Sequence, residues 1–288
     1  MTVVPEEHLQ AYRAQTFRIL PGLRLKERQE AVAFVKQRGF IFFWPITGYL
    51  LPSLWVATAG DRPVADEHDD PGHVTWGWKD ALLGSREWYY AKVIRKKATM
   101  ITHELAPFFY ALTENYGAYD EDYLTLYEQG RLPLEAKQVY EALLDQGALD
   151  TVELRKATHM TSPSSETRFN KAITDLQADF KILPVGVTSS GAWHYAFAYD
   201  IVARHYPELA DIAHEIQENQ AREKILATYL HSLGAVPVDQ AGRLFGWRPA
   251  DTKRAIDGLV RSGDTVRIIE VENHPGEWLA SVHLLHGV

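Results

Sequence analysis

The sequence predicts a mainly α-helical protein of the α+β class, in which the strands form small hairpins. The main observation is an internal repeat. Residues 137–200 and 222–286 share one order of elements: a helix, a short helix, a third helix and a two-stranded hairpin. Across the third helix the copies align without a gap, so that Lys171-Ala172-Ile173 matches Arg254-Ala255-Ile256. A repeat of this length indicates a duplicated domain, because solenoid arrays have shorter periods.

The boundaries of each copy follow from glycines, capping residues and strand patterns. In the first copy, a helix ends at Gly147, the next two cover 151–160 and 164–180, and the hairpin follows over 181–199. In the second copy, the first helix ends at Gly234, the next two cover 237–247 and 249–263, and the hairpin covers 265–285. This order is that of a winged helix, which commonly lays its third helix in the major groove of DNA. Tandem winged helices are therefore predicted, at 133–206 and 207–288.

An N-terminal unit precedes them, over residues 1–132, and is expected to be an interrupted winged-helix-like unit with an aromatic-rich insertion. Apolar spacing predicts a helix over 25–37 and one long helix or two over 86–115. Residues 39–59 carry no charge and are long enough to cross a membrane. Two prolines and a glycine interrupt this run, so a buried strand, turn and helix is favoured.

Composition narrows the class of protein. Hydrophobic residues at 46% and charged residues at 24% are ordinary for a globular protein, which argues against disorder and against a membrane protein. The chain has no cysteine, so disulfides and thiolate metal sites are excluded. No signal peptide is recognised, and a cytoplasmic location is expected.

No phosphate-binding loop is found and no cofactor is predicted. Residues 67–73 contain metal-ligand types, but a solvated loop is the preferred interpretation and no metal site is predicted.

The net charge of −8 argues against a general affinity for nucleic acid, because phosphate binding rests on lysine and arginine. Basic residues are nevertheless concentrated in 86–97 and 220–268, and could form one face. Solvated surface charge is the alternative, as is a role for the copies in binding proteins. The candidate DNA contacts are basic residues of both copies and of the 86–97 stretch: Lys96, Lys97, Arg155, Lys156, Arg168, Lys171, Arg248, Lys253 and Arg254.

Two N-terminal stretches, 39–46 and 76–83, together with the two copies, resemble the winged-helix DNA glycosylases of the AlkZ/YcaQ family. That family removes bulky alkylated purines and unhooks interstrand crosslinks, so the resemblance implies duplex or damaged DNA as the partner. In the matching register, Phe42 and Trp44 occupy the positions of the family's Gln-x-Gln or Gln-x-Asp catalytic motif. Trp78 and Lys79 stand where the family has His and Glu. The resemblance therefore implies the scaffold without the usual catalytic side chains.

If the protein is an N-glycosyl hydrolase, Asp80 is the candidate acid or base, since it is the nearest carboxylate to these aromatic residues. Aromatic side chains can also hold an extruded base by stacking, although core packing is their commoner role. The candidate aromatic pocket is Trp44, Tyr49, Trp76 and Trp78. Two functions follow: a DNA-binding relative of the glycosylases, or a small-molecule-binding or transcription-regulatory winged-helix protein that uses this pocket. The sequence leaves enzymatic activity and oligomeric state open.

Overall fold

The computed structural model of the chain describes residues 2–191, 194–263 and 266–286. Within these ranges helices are combined with one four-stranded and two three-stranded sheets, which confirms the predicted α+β class. Residues 192 and 193 of the first predicted hairpin, and 265 of the second, lie outside the described ranges. No helix in the described ranges has the length and apolar character needed to span a membrane.

The N-terminal part builds one small sheet surrounded by short helices. Its sheet has the order β2-β4-β3, with antiparallel pairing throughout and every strand residue buried. The helices and strands are β1 (Val3–Val4), α1 (Glu6–Thr16), α2 (Arg28–Arg38), β2 (Phe40–Phe42), α3 (Leu54–Ala59), α4 (Val74–Ala81), β3 (Tyr89–Ala91), β4 (Thr99–Ile101), α5 (Ala106–Tyr110) and α6 (Asp122–Glu128).

The uncharged run forms the strand, turn and helix that its prolines and glycine predict. Gly39 ends α2 with a φ of +78°, a conformation that glycine adopts without steric cost. A Cβ atom there would lie 2.5 Å from side-chain atoms of Leu105 and Thr228, so the close approach also requires glycine. Ser53 caps α3 by accepting a hydrogen bond from the Val56 amide. The run thus enters the protein core.

The helices predicted over 86–115 are wrong for most of that segment, which contains the β3–β4 hairpin and only the short helix α5. Every residue of both strands is buried, and apolar or aromatic side chains occupy all positions except Thr99. Such a run cannot be told from a buried helix by its spacing. At the hairpin tip, Arg95 and Lys96 take positive φ values of 53° and 57°, which reverses the chain.

The two copies follow the predicted order with one exception. The first copy comprises α7 (Leu134–Gln146), β5 (Leu149–Asp150), α8 (Thr151–Ala157), α9 (Glu166–Ala178), β6 (Ile182–Thr188), β7 (Ala196–Ile201) and α10 (Val202–His205). The second comprises α11 (Leu209–His214), α12 (Glu218–Leu233), β8 (Ala235–Pro237), α13 (Pro249–Ser262), β9 (Val266–Val271), β10 (His274–Ser281) and α14 (Val282–His286).

The exception is the short helix predicted over 237–247 in the second copy. Only a 3-10 helix over Val238–Gln240 forms there, followed by turns. Gly246 takes a φ of +73°, which an α-helix cannot contain. In the first copy, by contrast, Asp150 and Glu153 form a reciprocal capping box that starts α8. The capped segment becomes a helix and the uncapped, glycine-containing segment does not.

The first residues of the chain lie against its last ones. Strand β1 pairs in parallel with β9, through Val3 opposite Glu270 and Val4 opposite Val271. Helix α1 packs on α12, and its Leu9 joins a buried cluster with Ile269, Trp278 and Leu284. The sequence pattern did not indicate this partner for the N-terminal segment. Helix α12 also contacts α2, α5 and α13, so it joins the N-terminal part to the second copy.

Candidate functional site

The two positions that the resemblance aligns with a catalytic motif, Phe42 and Trp44, lie in an apolar environment. Phe42 is fully buried at the end of β2, and its ring belongs to the largest core cluster. Trp44 is half-buried, and its ring centroid lies 5.4 Å from that of Trp55 and 5.8 Å from that of Trp76. Neither side chain offers a carboxamide or carboxylate that could orient a water molecule. General acid or base chemistry would need other residues.

The structure brings together only part of the predicted aromatic pocket. Trp44 and Trp76 are neighbours, and Trp78 lies in the core cluster beneath them, 8% exposed. Tyr49 instead packs against the core that the N-terminal part shares with the second copy, and its ring lies 4.9 Å below the Arg95 guanidinium. Tyr49 also lines a groove of about 520 Å³ with residues of the second copy.

Lys79 lies close to Trp76 and is the most unusual side chain of this region. It is 1% exposed, although lysine is rarely buried completely. Its Nζ atom donates hydrogen bonds to Asp80 Oδ1 at 2.5 Å and to the Tyr195 hydroxyl at 3.0 Å. The Tyr195 hydroxyl in turn donates to Asp80 Oδ1, also at 3.0 Å. The three polar groups therefore form a closed triangle.

Aromatic rings surround the Lys79 ammonium. Its Nζ atom lies 4.4 Å from the ring centroid of Phe197 and 5.0 Å from that of Trp76. The other three rings lie within 5.7 Å and belong to Phe43, Tyr90 and Tyr195. A cation over ring faces is attracted by their quadrupoles, by about 2 kcal/mol where water is excluded. We call these five side chains the Lys79 cage.

Burial and the Asp80 carboxylate shift the Lys79 pKa in opposite directions and the Tyr195 pKa in the same direction. Burial lowers the pKa of the Lys79 ammonium, because the charged form loses hydration, and the hydrogen bond to Asp80 partly opposes the shift. Burial raises the pKa of the Tyr195 hydroxyl, and the Asp80 carboxylate raises it further. The tyrosine therefore remains a hydrogen-bond donor, and the lysine gives up its proton more readily than a free lysine does.

The cage is assembled from three separate parts of the chain. Helix α4 places Trp76 and Lys79 three residues apart, so both side chains lie on one face. Phe43 and Tyr90 come from the N-terminal sheet region, while Tyr195 and Phe197 come from the hairpin of the first copy. The site therefore lies where the first copy meets the N-terminal part. Sequence reasoning noted Lys79 only as a departure from the family and did not identify Tyr195 or Phe197.

In the loop before α4, the acidic residue Asp70 has a structural role. Asp70 accepts hydrogen bonds from the Gly72 amide at 2.7 Å and from Arg62 Nη2 at 2.6 Å. These contacts hold the pKa of the Asp70 carboxyl below its ordinary value, with Arg62 as the largest cause. His73 Nε2 lies 2.9 Å from the Ala65 carbonyl oxygen. Among the described residues, no three histidine, aspartate or glutamate side chains meet as metal ligands.

Two of the candidate DNA contacts, Lys96 at the β3–β4 hairpin and Lys171 on α9, converge on one carboxylate. Lys96 Nζ lies 2.5 Å from Asp175 Oδ1, and Lys171 contacts the other oxygen of that carboxylate. Both lysines are more than half exposed. Lys97 is exposed and forms no ion pair within the described ranges. The hairpin tip is held in place by Arg95, whose Nε donates to the Leu244 carbonyl at 2.9 Å.

Three of the six remaining candidates, those on α13 and at its N-cap, are paired with acids of that helix. Arg248 and Arg254 share the buried carboxylate of Asp251, and Lys253 pairs with Asp257 at 2.7 Å. Arg168 bonds Glu135 at 3.1 Å. Arg155 donates to the Ser162 carbonyl and lies over the Phe169 ring, and Lys156 is exposed.

A groove of about 890 Å³ runs beside α13 and connects the hairpin tip with the second copy. Its cationic lining comes from Arg95, Arg243, Lys253 and Arg261. Three carboxylates also line it: Asp239, Asp257 and Glu277. The lining is therefore mixed in charge. A polyanion could engage the exposed cations here only by competing with these acids.

Comparison with known proteins identifies the relatives of this chain. The solved structure of Streptomyces sahachiroi DNA glycosylase AlkZ superposes on it with a TM-score of 0.63 and 13% sequence identity. The superposition covers 99% of this chain and 72% of that one, and at this identity it establishes a shared fold. None of the curated proteins compared with the chain matches it. Residues 25–246 match the family described as AlkZ related. Since this match spans most of the sequence, the chain belongs to the AlkZ-related family.

Proposed function

We propose that this protein binds duplex or damaged DNA through two winged helices and has lost base excision by the residues that its glycosylase relatives use. The proposal is supported by the order of elements in a chain of the AlkZ-related family: both copies have helices followed by a two-stranded hairpin, and in the second copy a 3-10 helix and turns replace the short helix. A winged helix presents its third helix to the major groove, so α9 and α13 are the proposed reading helices.

The loss of excision rests on Phe42 and Trp44. Excision of a base passes through a cationic sugar, which a carboxylate or an oriented water must stabilise. The Phe42 ring is fully buried and cannot hydrogen-bond, and the Trp44 ring packs against Trp55 and Trp76. We therefore expect no release of an alkylated purine through these positions.

The proposed DNA face combines the hairpin tip, α9 and the groove beside α13. Lys96 and Lys171 lie together at its centre, because they share Asp175, and the exposed Lys97 follows Lys96 in the chain. Phosphate oxygens would have to compete with Asp175 for these lysines, so the affinity should be modest and sensitive to salt. The mixed charge of the groove and the overall charge of −8 agree with that expectation.

A fluorescence anisotropy titration tests the proposal, with plain, abasic and alkylated duplexes at several salt concentrations. Replacing Lys96 and Lys97 together by alanine should weaken binding to all duplexes and reduce the slope of log K against log salt by about 1–2, or about 0.9 per lost phosphate contact. Lys137→Ala is the matched control, because Lys137 lies on α7 and pairs with Glu141. Absence of binding to every duplex at low salt would contradict the proposal.

A second candidate is a glycosylase that uses Asp80 as its general acid or base. The observation that favours it is the hydrogen bond from Tyr195 to Asp80 Oδ1, which would hold that carboxylate in a fixed orientation. Release of an alkylated base by the wild-type protein, abolished in Asp80→Asn, would support this candidate over the first. If the wild type releases nothing while it binds DNA, this candidate is excluded.

A further inference from the structure

The Lys79 cage contains a buried amine that DNA binding through winged helices does not use. Packing does not require an amine there, because well-packed apolar side chains often replace buried ion pairs without loss of stability. Desolvation in an apolar pocket is instead a condition under which lysine acts as a nucleophile, and a neighbouring carboxylate can serve as the base that takes its proton. Lys79 is 1% exposed and lies beside Asp80, whose carboxylate accepts a hydrogen bond from the Tyr195 hydroxyl.

We propose that Lys79 forms an imine with an aldehyde, and that the aldehyde is the ring-opened C1′ of an abasic sugar in DNA. The inference rests on the proposed DNA binding and names its substrate class. Primary amines condense with carbonyl groups, and an abasic site is the aldehyde that a DNA strand carries. The Lys79 side chain fills the space between the cage rings, which leaves no room for a purine. An abasic sugar carries no base, so it requires less space at this crowded site than an intact nucleotide does.

The step balances with the groups already present. Asp80 accepts a proton from the Lys79 ammonium across their 2.5 Å contact, which leaves a neutral amine and a carboxylic acid. The amine lone pair attacks the aldehyde carbon and a carbinolamine forms. Asp80 then returns its proton to the carbinolamine hydroxyl, which leaves as water while the C=N bond forms. The Tyr195 hydroxyl donates to Asp80 Oδ1 throughout and keeps the carboxyl beside Nζ.

Access to the amine depends on Trp76. This ring is 38% exposed, more than any other ring of the cage, and its centroid lies 5.0 Å from Lys79 Nζ. Rotation of the Trp76 side chain would open a direct path from solvent to the amine. The other four rings are held by the N-terminal sheet region and by the first hairpin. Trp76 is therefore the gate of this site, and Trp76→Ala should accelerate imine formation.

Borohydride trapping tests the proposal, because reduction of the imine leaves a stable link between protein and DNA. The probe is a labelled duplex with one abasic site, incubated with the full chain and sodium borohydride and analysed on a denaturing gel. The wild type should give a crosslinked band, and Lys79→Arg should give none, since a guanidinium keeps the charge but forms no such imine. Lys36→Arg, at an exposed lysine paired with Glu87, is the matched control and should trap as the wild type does.

Asp80→Asn should slow trapping by about 100-fold, the lower range of general acid–base catalysis. Peptide mass spectrometry of the trapped wild-type protein should place the adduct on Lys79, a result that does not depend on the folding of any variant. An adduct on other lysines, or trapping unchanged in Lys79→Arg, would overturn the assignment. Anisotropy with the same duplex separates the two proposals. Binding without trapping overturns this inference alone, whereas absence of binding overturns DNA binding and the inference with it.

Discussion

The hairpins of the two copies are attached to the rest of the molecule by different chemistry. In the first copy, the β6–β7 hairpin contributes Tyr195 and Phe197 to a cage around a cation from α4. In the second copy, β9 pairs with β1 through backbone hydrogen bonds, and Ile269 packs against Leu9 of α1. One local pattern therefore acquires a polar attachment at one site and an apolar attachment at the other. Similar hairpins can therefore be anchored by quite different docking surfaces.

Disrupting the apolar attachment of the second hairpin should cause the largest loss of stability. Ile269→Ala removes a fully buried side chain from the cluster of Leu9, Trp278 and Leu284. We expect a loss of about 2–5 kcal/mol in the free energy of unfolding, from lost burial and the cavity left behind. Urea denaturation measures it, with Glu270→Ala on the exposed face of the same strand as control. Equal losses in the two variants would show that Ile269 does not anchor the hairpin.

Breaking the polar attachment should have a smaller effect, confined to the first copy. Lys79→Met keeps an apolar stem in the cage but leaves Asp80 and the Tyr195 hydroxyl without their cation. We expect a loss of about 1–3 kcal/mol, the range for leaving a buried polar group unsatisfied. Asp80 keeps partial contact with solvent, its side chain being 19% exposed, which favours the lower end of the range.

Amide hydrogen exchange distinguishes the two attachments. Protection should fall in β7 of Lys79→Met and stay unchanged in β9 and β10. A uniform fall in protection would mean that the cage supports the whole molecule and not the first hairpin alone.

Lowering the pH should destabilise the contact between the second copy and the N-terminal part. This is the smallest of the predicted effects on stability. His231 on α12 lies 3.4 Å from Arg38 Nη2 and packs on the His283 ring. Burial lowers its pKa from 6.5 to about 4, with further lowering by Arg38 and His283. Between these pH values the unfolded chain binds more protons, so stability rises with pH across this window and is lost as pH falls from 6.5 to 4.

We expect a loss of about 1–2 kcal/mol, because one pKa unit corresponds to about 1.4 kcal/mol and the partial exposure of His231 reduces the effect. Urea denaturation between pH 4 and pH 7 measures it. His231→Gln should flatten the dependence over this window. An identical slope in both proteins would assign the acid sensitivity to other groups.

The sequence predicted the parts of the fold that depend on local signals. Gly147 and Gly234 end helices at the predicted residues, and both predicted hairpins form. The uncharged run enters the core as predicted, since its prolines and glycine exclude a continuous helix. The helices predicted for residues 86–115 were wrong because the strands there are buried on both faces. Burial on both faces removes the alternation of polar and apolar residues that distinguishes a strand. The prediction of a short helix in the second copy was wrong because Gly246 turns the chain there.

The candidate site was only partly predictable. The sequence indicated the aromatic stretch and Asp80, and the structure brings Trp44, Trp76 and Asp80 into one region. Tyr49 lies elsewhere, because the turn after Trp44 carries it to the second copy. Lys79 next to aromatic residues was a visible signal, but its meaning depended on Tyr195, which is 116 residues away along the chain.

By itself, the sequence determined most of the helices and both hairpins of the two copies, since helix caps, glycines and apolar spacing act over a few residues. Only the tertiary structure decided which surfaces meet: β1 beside β9, and the first hairpin over Lys79. The physical reason is that a buried cation needs partners from several directions at once. Phe43, Tyr90 and Tyr195 approach Lys79 only after the chain has folded.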